Sequence, residues 1–484
     1  MSESRDIELI DALRANTGEL PWLEFKRDNF DPEKIGKRCS ALSNAARLEG
    51  QDFGYMLWGI DDTSHEVVGT DFDPDTLRVG NHEFQFWLAQ RLQPSVAFSF
   101  RKADHPEGRV VILEIPAATS APVNFSNIAY IRIGSATPKL TEYPERYAKL
   151  IESLRPYIWE HAIAKQYVSG DEVLDLLDYA QYFRLTRQPL PDNRVGIFER
   201  LEADRLIGQD VGKRWNITNL GAILFAIRLD QFDSSLPRKG VRLVVYDGKN
   251  RAATVTQRLD GQKGYAAGFL GLVDYINGLI PKNEHIGSAL RVSHQLFPEL
   301  SIRELVVNAL IHQDMTVRGA GPQIELFHDR IEITNPGRPL VQADRMIDLP
   351  PRSRNEALAS LMRRMGFCEE QGSGLDKVIA EVELYQLPPP LFRETENSMQ
   401  VILYGPRKFA DMTPDERVRA CYQHAVLRFL GGDRMKNATL CERFGIQSKN
   451  ASQASVVIRK ALKAGLIKVA DPDHQRAGYV PSWA

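Results

Sequence analysis

Residues Ser301–Asp314, SIRELVVNALIHQD, constrain this chain more than any other stretch. Leu305, Val306, Ala309 and Leu310 have the spacing of an apolar helix, while Glu304, Asn308 and His312 fall four residues apart and share one face. Asp314 lies just beyond that row. A helix wholly inside a core has no use for such a stripe, because buried polar groups need partners. A site for Mg²⁺ and phosphate does have a use for it: an amide oxygen can hold the metal and a carboxylate can orient a water towards a γ-phosphate. Taken alone, the same residues also suit an ordinary amphipathic helix with a solvated polar face.

The 484 residues exceed one typical core, so three or four domains are expected. With 43% hydrophobic and 26% charged residues the chain has a folded, globular composition. A formal net charge of -2 means that any nucleic-acid surface is local. Cys39, Cys368, Cys421 and Cys441 show neither CxxC nor metal-ligand spacing, so no disulfide framework follows and a cytoplasmic location is expected. The N-terminal MSESRDIELIDAL has no apolar export core, and nowhere do eighteen apolar residues run together, so no membrane partner is expected.

Periodicity divides the chain into four segments and predicts a multidomain α+β protein. Residues 1–158 alternate helix (Ile7–Leu13, Pro32–Arg47, Gly80–Arg91) with extended runs (Leu20–Lys26, Gly54–Ile60, Ser95–Arg101, Arg109–Ile115, Ala129–Ile133). Residues 159–235 read as a helical, winged-helix-like connector. Residues 236–405 form a second α/β unit, with strands at Val241–Tyr246, Gln323–Phe327, Arg330–Thr334 and Met399–Leu403 and helices at Gly264–Leu279 and Ile302–His312. Residues 412–484 read as helix (Asp415–Leu430), short helix (Thr439–Phe444), turn, long helix (Ala451–Ala464) and a hairpin, the order of a winged helix-turn-helix. That segment holds twelve Lys and Arg against six Asp and Glu, a basic end on a slightly acidic chain.

Two motifs downstream give the polar helix a context. DRIEITNPG (Asp329–Gly337) is a strand running into an Asn-Pro-Gly turn, and EEQGSGLDKVIAEV (Glu369–Val382) is a glycine-rich loop opening a helix. At Gly372 and Gly374 backbone N–H groups can approach phosphate oxygens closely, and a helix N-terminus favours the anion. In this order the motifs resemble the GHKL ATPase fold, a Bergerat-like α/β sandwich, in the divergent form found in bacterial AlbA-domain ATP-binding proteins and transcriptional regulators. The resemblance implies ATP and Mg²⁺ as cofactors, with Glu304 positioning the attacking water, Asn308 binding Mg²⁺ and Asn335 beside adenine. It also implies that Gly337 shapes that pocket, and that Gly372, Gly374 and Leu375 line the phosphates. The segment DLPPRSRNEALASLMRRMG would then cover the nucleotide, with Arg352 and Arg354 contacting phosphate or a partner. The aspartate usual at adenine in that fold is Asn335 here, whose amide can still pair with the adenine edge. GHKL modules often dimerise on ATP, so a homo-oligomer is expected.

The N-terminal segment has its own carboxylates. Glu19 and Glu24 are five apart in GELPWLEFKRD, and Asp61 and Asp62 follow GYMLWGI. Brought together beside Lys26, they could hold a divalent metal for phosphodiester hydrolysis, although scattered acids are also common as plain surface solvation. LEFKRD, a helix ending SALSNAA, GYMLWGIDD and YIRIGSAT together resemble the Schlafen AlbA domain. That resemblance implies nucleic-acid binding and makes Glu19, Glu24 and Asp61 or Asp62 the catalytic, metal-holding acids of a nuclease, with Mg²⁺ or Mn²⁺. NAARLEGQDFGY stands where a compact Asn-Thr-Gly-Gly turn is usual.

In the C-terminal segment, QSKNASQAS offers Lys449, Asn450, Ser452 and Gln453 to base edges or phosphates, with Arg459 and Lys460 one or two turns on. Protein contact is the other use of such a module. Two functions are therefore expected to compete. One is an ATP-regulated protein acting on nucleic acid, DNA in preference to RNA, including a nuclease effector of phage defence. The other is a transcription regulator that senses ATP without catalysis.

Overall fold

The computed structural model describes residues 2–15, 20–28, 30–154, 158–232, 235–280, 282–286, 291–350, 352–368, 374–474 and 477–484. The chain is a multidomain α+β protein with fifteen α-helices among the described residues. It divides into two compact units, Met1–Ile158 with Gln209–Trp215, and Trp159–Gly208 with Asn216–Ala484.

The first unit is built on a four-stranded sheet in the order Leu23–Lys26, Phe53–Trp58, Gly108–Pro116, Ser99–His105. The first two strands are parallel and the rest antiparallel. Parallel neighbours need a crossover, supplied by the helix Pro32–Leu48. Asp31 caps it by accepting from the N–H groups of Glu33 and Lys34, and Pro32 sits in the first turn, where no backbone donor is lost. The two-residue period of the strands feeds both layers. Met56, Trp58, Val111 and Leu113 pack with Ile35, Cys39 and Leu42, whereas Tyr55, Leu57, Val110 and Ile112 pack with Leu9, Ile10 and Leu13 of the first helix.

Of the expected elements, Leu20–Lys26 is a strand only from Leu23, the strand expected over Ser95–Arg101 lies at Ser99–His105, and two others are much shorter than their patterns. The helix expected over Gly80–Arg91 is confined to Phe84–Ala89, because Arg78–Val79 pairs with His82–Glu83 in a small hairpin turning at Gly80, φ +60°. The strand expected over Ala129–Ile133 contributes only Ile128–Ala129 and isolated bridges at Tyr130 and Ile133. Helix side chains take the ladder's place there: Tyr130 N–H donates to Ser40 Oγ, and Asn44 Nδ2 donates to the Tyr130 carbonyl.

In the second unit, helices Gly170–Leu176, Tyr179–Thr186 and Arg194–Ala203 precede a six-stranded sheet. Its order is Thr254–Asp260, Arg242–Asp247, Gln323–Leu326, Arg330–Pro336, Ser398–Tyr404, Leu391–Glu394. Only Arg242–Asp247 and Gln323–Leu326 run parallel. Helix Glu299–Ile311 packs on strand Arg330–Pro336 and between helices Tyr265–Leu279 and Gly374–Leu384. Alternation along Arg330–Pro336 turns Ile333 and Asn335 towards that helix, and Glu332 and Thr334 towards a separate polar cavity.

The chain continues through helices Pro414–Leu430, Asn437–Phe444 and Ser452–Lys463 into the antiparallel pair Ile467–Val469 and Tyr479–Pro481. Cys421, Leu440, Val457 and Ile467 join these elements in one core. Among the described residues no helix is long and apolar enough to cross a membrane.

Candidate functional site

The polar stripe of the Glu299–Ile311 helix faces a cavity of about 180 Å³. Glu304, Asn308 and His312 line it from the helix, Ile333, Asn335, Met399 and Val401 from the sheet, and Gly374 and Leu375 from the start of the next helix. Five residues singled out from sequence for a nucleotide (Glu304, Asn308, Asn335, Gly374 and Leu375) therefore meet at one place. Gly337 is not in the lining, and Gly372 lies outside the described residues.

Close packing fixes this end of the cavity. Glu304 is only 3% exposed, and a Cβ built on Gly374 would stand 2.5 Å from its Oε2, so a side chain there would push the carboxylate aside. Gly337 has φ +93° and its Cα abuts Asp314, where a Cβ would overlap the aspartate's own Cβ. Backbone bonds close the junction: Asp314 N–H donates to the Pro336 carbonyl and Gly337 N–H to the Asn397 carbonyl, each at 2.8 Å. Asp314 itself accepts from the Thr316 N–H at 2.9 Å and hydroxyl at 2.6 Å. Burial raises its pKa, but these bonds, with Arg354 and Lys239 nearby, hold it below the usual carboxylate range. Its role is to brace the Asn335–Gly337 turn against the end of the Glu304 helix.

The other wall comes from the segment after that turn. Leu340, Val341, Met346 and Leu349 are apolar lining, followed by Arg352, Ser353, Arg354 and, from helix Glu356–Arg364, Arg363. Ser353 Oγ donates to the Ile311 carbonyl at 3.1 Å, while Asn355 Nδ2 donates to the carbonyls of Ile311 at 3.0 Å and Gln313 at 2.8 Å. Two carbonyls at the C-terminal end of the Glu304 helix are satisfied in this way. Burial lowers the pKa of His312, a backbone bond at Arg352 opposes this, and Arg354 and Arg363 add to it. Arg363 was missed in the sequence; its only signal was the Arg-Arg pair of LMRRMG at the polar edge of a short amphipathic helix.

A hard cation would find oxygen donors at Glu304 and Asn308, and phosphate oxygens would find the guanidinium groups of Arg352, Arg354 and Arg363 in the same lining, so Mg²⁺ and ATP fit the residues present.

The N-terminal acids are arranged differently. Glu24 is 3% exposed, with Lys26 Nζ at 2.8 Å and Arg38 Nε at 3.6 Å from its Oε1, and Arg132 at its other oxygen. Asp62 is exposed and reaches Lys26 at 3.5 Å. Asp61 accepts from the N–H groups of Ser64 at 2.7 Å and Thr63 at 3.0 Å and pairs with Arg27, three interactions that hold its carboxyl well below the usual range. Glu19 lies outside the described residues. Among those described no three acidic, His or Cys side chains gather as a metal site, and the three cations around Glu24 leave a donor set that does not fit a divalent ion.

Lys449, Asn450, Ser452, Gln453, Arg459 and Lys460 are all exposed. Ala454, Val457, Ile458 and Ala461 anchor the opposite side of helix Ser452–Lys463 in the core. The basic residues thus share the solvent face.

Residues 19–141 match the Schlafen AlbA_2 family model, and residues 319–403 match a family described as "Putative ATP-dependent DNA helicase recG C-terminal". No curated protein matches the chain. Among solved structures, DIP2311 from Corynebacterium diphtheriae is 17% identical, over 99% of this chain and 98% of that one, with a TM-score of 0.43. The N-terminal domain of a RecG-related protein from Nitrosomonas europaea is 25% identical, over 28% of this chain and 92% of that one, with a TM-score of 0.19. The chain is therefore an AlbA-domain protein of the Schlafen AlbA_2 type that also carries a divergent ATPase domain.

Proposed function

We propose that the protein binds ATP with Mg²⁺ in the cavity beside the Glu299–Ile311 helix and uses that occupancy to control its action on nucleic acid, DNA in preference to RNA. The observation that carries this reading is the convergence of Glu304, Asn308, Asn335 and Gly374 on one cavity from three separate elements. Asn308 would hold the metal through its amide oxygen, and Asn335 would pair with the adenine edge. Glu304, held near the Gly374 helix terminus, would orient a water and accept its proton during hydrolysis. Bound Mg²⁺ would supply charge neutralisation at the phosphates. We read 1–158 as the AlbA-like nucleic-acid domain, 159–235 as connector, 236–405 as the ATP-binding domain and 412–484 as a winged helix, in a homo-oligomeric assembly. In that frame Lys449, Asn450, Ser452, Gln453, Arg459 and Lys460 would meet the duplex.

Titration of the full chain with ATP and Mg²⁺ tests the reading. Wild type should bind, and Asn308→Ala should lose the Mg²⁺-dependent part of the affinity; equal affinity in the two proteins would overturn it. A second reading is favoured by the cations around Glu24: the protein senses ATP and binds an operator without cutting nucleic acid. It requires one sequence-specific duplex whose affinity changes with ATP, and intact DNA and RNA after incubation with Mg²⁺ or Mn²⁺. Cleavage abolished by Glu24→Gln would instead support the nuclease of phage defence.

A further inference from the structure

Arg352, Arg354 and Arg363 line the candidate nucleotide cavity, and none of them is ion-paired with a carboxylate of the described residues. Their neighbours are paired. Arg345 binds Asp348 at 2.6 Å, and Arg364, adjacent to Arg363 on the same helix, binds Asp204. Among the described lining residues, three guanidinium charges and the one carboxylate of Glu304 give a formal charge of +2 with His312 neutral.

The backbone that carries these arginines is held. Ser353, between Arg352 and Arg354, and Asn355, which begins the helix of Arg363, are both tied to the C-terminal end of the Glu304 helix. The guanidinium groups thus stand on fixed supports inside a partly closed cavity, without a carboxylate partner among the described residues. A planar guanidinium matches two phosphate oxygens at once, and charge-assisted bonds of this kind are the strong ones. One phosphate group, at about -1.5 to -2, answers at most two of the three guanidinium charges, whereas a di- or triphosphate answers all three.

We propose that Arg352, Arg354 and Arg363 together form a polyphosphate clamp. The ligand class of the cavity is then a nucleoside di- or triphosphate, not a nucleoside, a free base or a nucleoside monophosphate. The clamp rests on the reading of this cavity as a nucleotide site only for its nucleoside half.

The test is calorimetric titration of the full chain with MgATP, adenosine and inorganic tripolyphosphate. Wild type is compared with Arg363→Ala, Arg363→Lys and Arg352→Ala. The expected result is a loss of at least about tenfold in affinity for ATP and tripolyphosphate in both alanine variants, with adenosine unchanged and partial recovery in Arg363→Lys. Equal losses for adenosine and ATP would assign Arg363 a packing role and overturn the clamp. So would unchanged ATP and tripolyphosphate affinity in the alanine variants. If wild type binds tripolyphosphate through these arginines but binds neither ATP nor adenosine, the arginines remain a polyphosphate site, while the nucleotide reading and the nucleoside di- or triphosphate class both fall. Because Arg352 is exposed, its variant keeps the test decisive should Arg363→Ala fail to fold.

Discussion

The carboxylate of Glu304 occupies the space that a side chain at Gly374 would need: an added Cβ would stand 2.5 Å from Oε2. An acid from one helix thereby lies beside the first residue of another that is far away in sequence. Gly374→Ala should push the Glu304 carboxylate aside, and because the clashing atom ends a flexible side chain the loss of stability should be no more than about 1 kcal/mol. ATP turnover should fall further than the stability loss explains, because Glu304 is displaced. Thermal unfolding and ATPase assays on the same preparation check this; a variant with wild-type melting and wild-type turnover would sink the assignment of Glu304.

Asn355 holds the arginine-bearing segment to the Glu304 helix through two side-chain hydrogen bonds. Asn355→Ala leaves two carbonyls without that donor in a buried place, at a cost of about 2 kcal/mol. If the segment covers the ligand, MgATP should bind more weakly while adenosine is less affected. Chemical denaturation and nucleotide titration separate the two effects, and unchanged values in both would remove Asn355 from the account.

The nucleotide side was more legible in sequence than the N-terminal acids, for a physical reason. Glu304 and Asn308 share a helix face by spacing alone, and an Asn-Pro-Gly turn or a glycine-rich helix start announces itself by residues that tolerate few other roles. Which cations surround Glu24 was hidden, because Arg38 and Arg132 arrive from a helix and a loop distant in sequence. Arg363 was hidden for the same reason: one residue on, Arg364 looks identical in sequence but is spent on Asp204. Strand lengths failed where side chains of a neighbouring helix, Ser40 and Asn44, took over backbone partners that a ladder would have used.

Burial and, secondarily, the charge of Asp348 raise the carboxyl of Asp376 to about 6. The folded state then holds this proton more tightly than the unfolded one. Its contribution to stability is present below the ordinary carboxylate value and is lost as the pH rises through about 6. Asp376→Asn, which cannot ionise, should gain on wild type between pH 5 and pH 7. Melting curves across that range give the answer; a difference that does not change with pH would show that Asp376 titrates normally.

Glu24 has two competing roles that a single substitution separates. As the carboxylate of a buried cation cluster it is structural: Glu24→Gln leaves Lys26, Arg38 and Arg132, whose side chains are 18%, 16% and 9% exposed, without their counter-charge. Removing one partner of a buried ionic group costs about 3–5 kcal/mol, so the variant should melt well below wild type. As a metal ligand it would behave otherwise, because any ion bound to the folded state alone raises the melting temperature by mass action. With nucleotide absent, Mn²⁺ should leave wild type and Glu24→Gln equally unshifted. A Mn²⁺-dependent rise in wild type that vanishes in the variant would return Glu24 to the catalytic acids, and would mean that the cations around it give way to the metal.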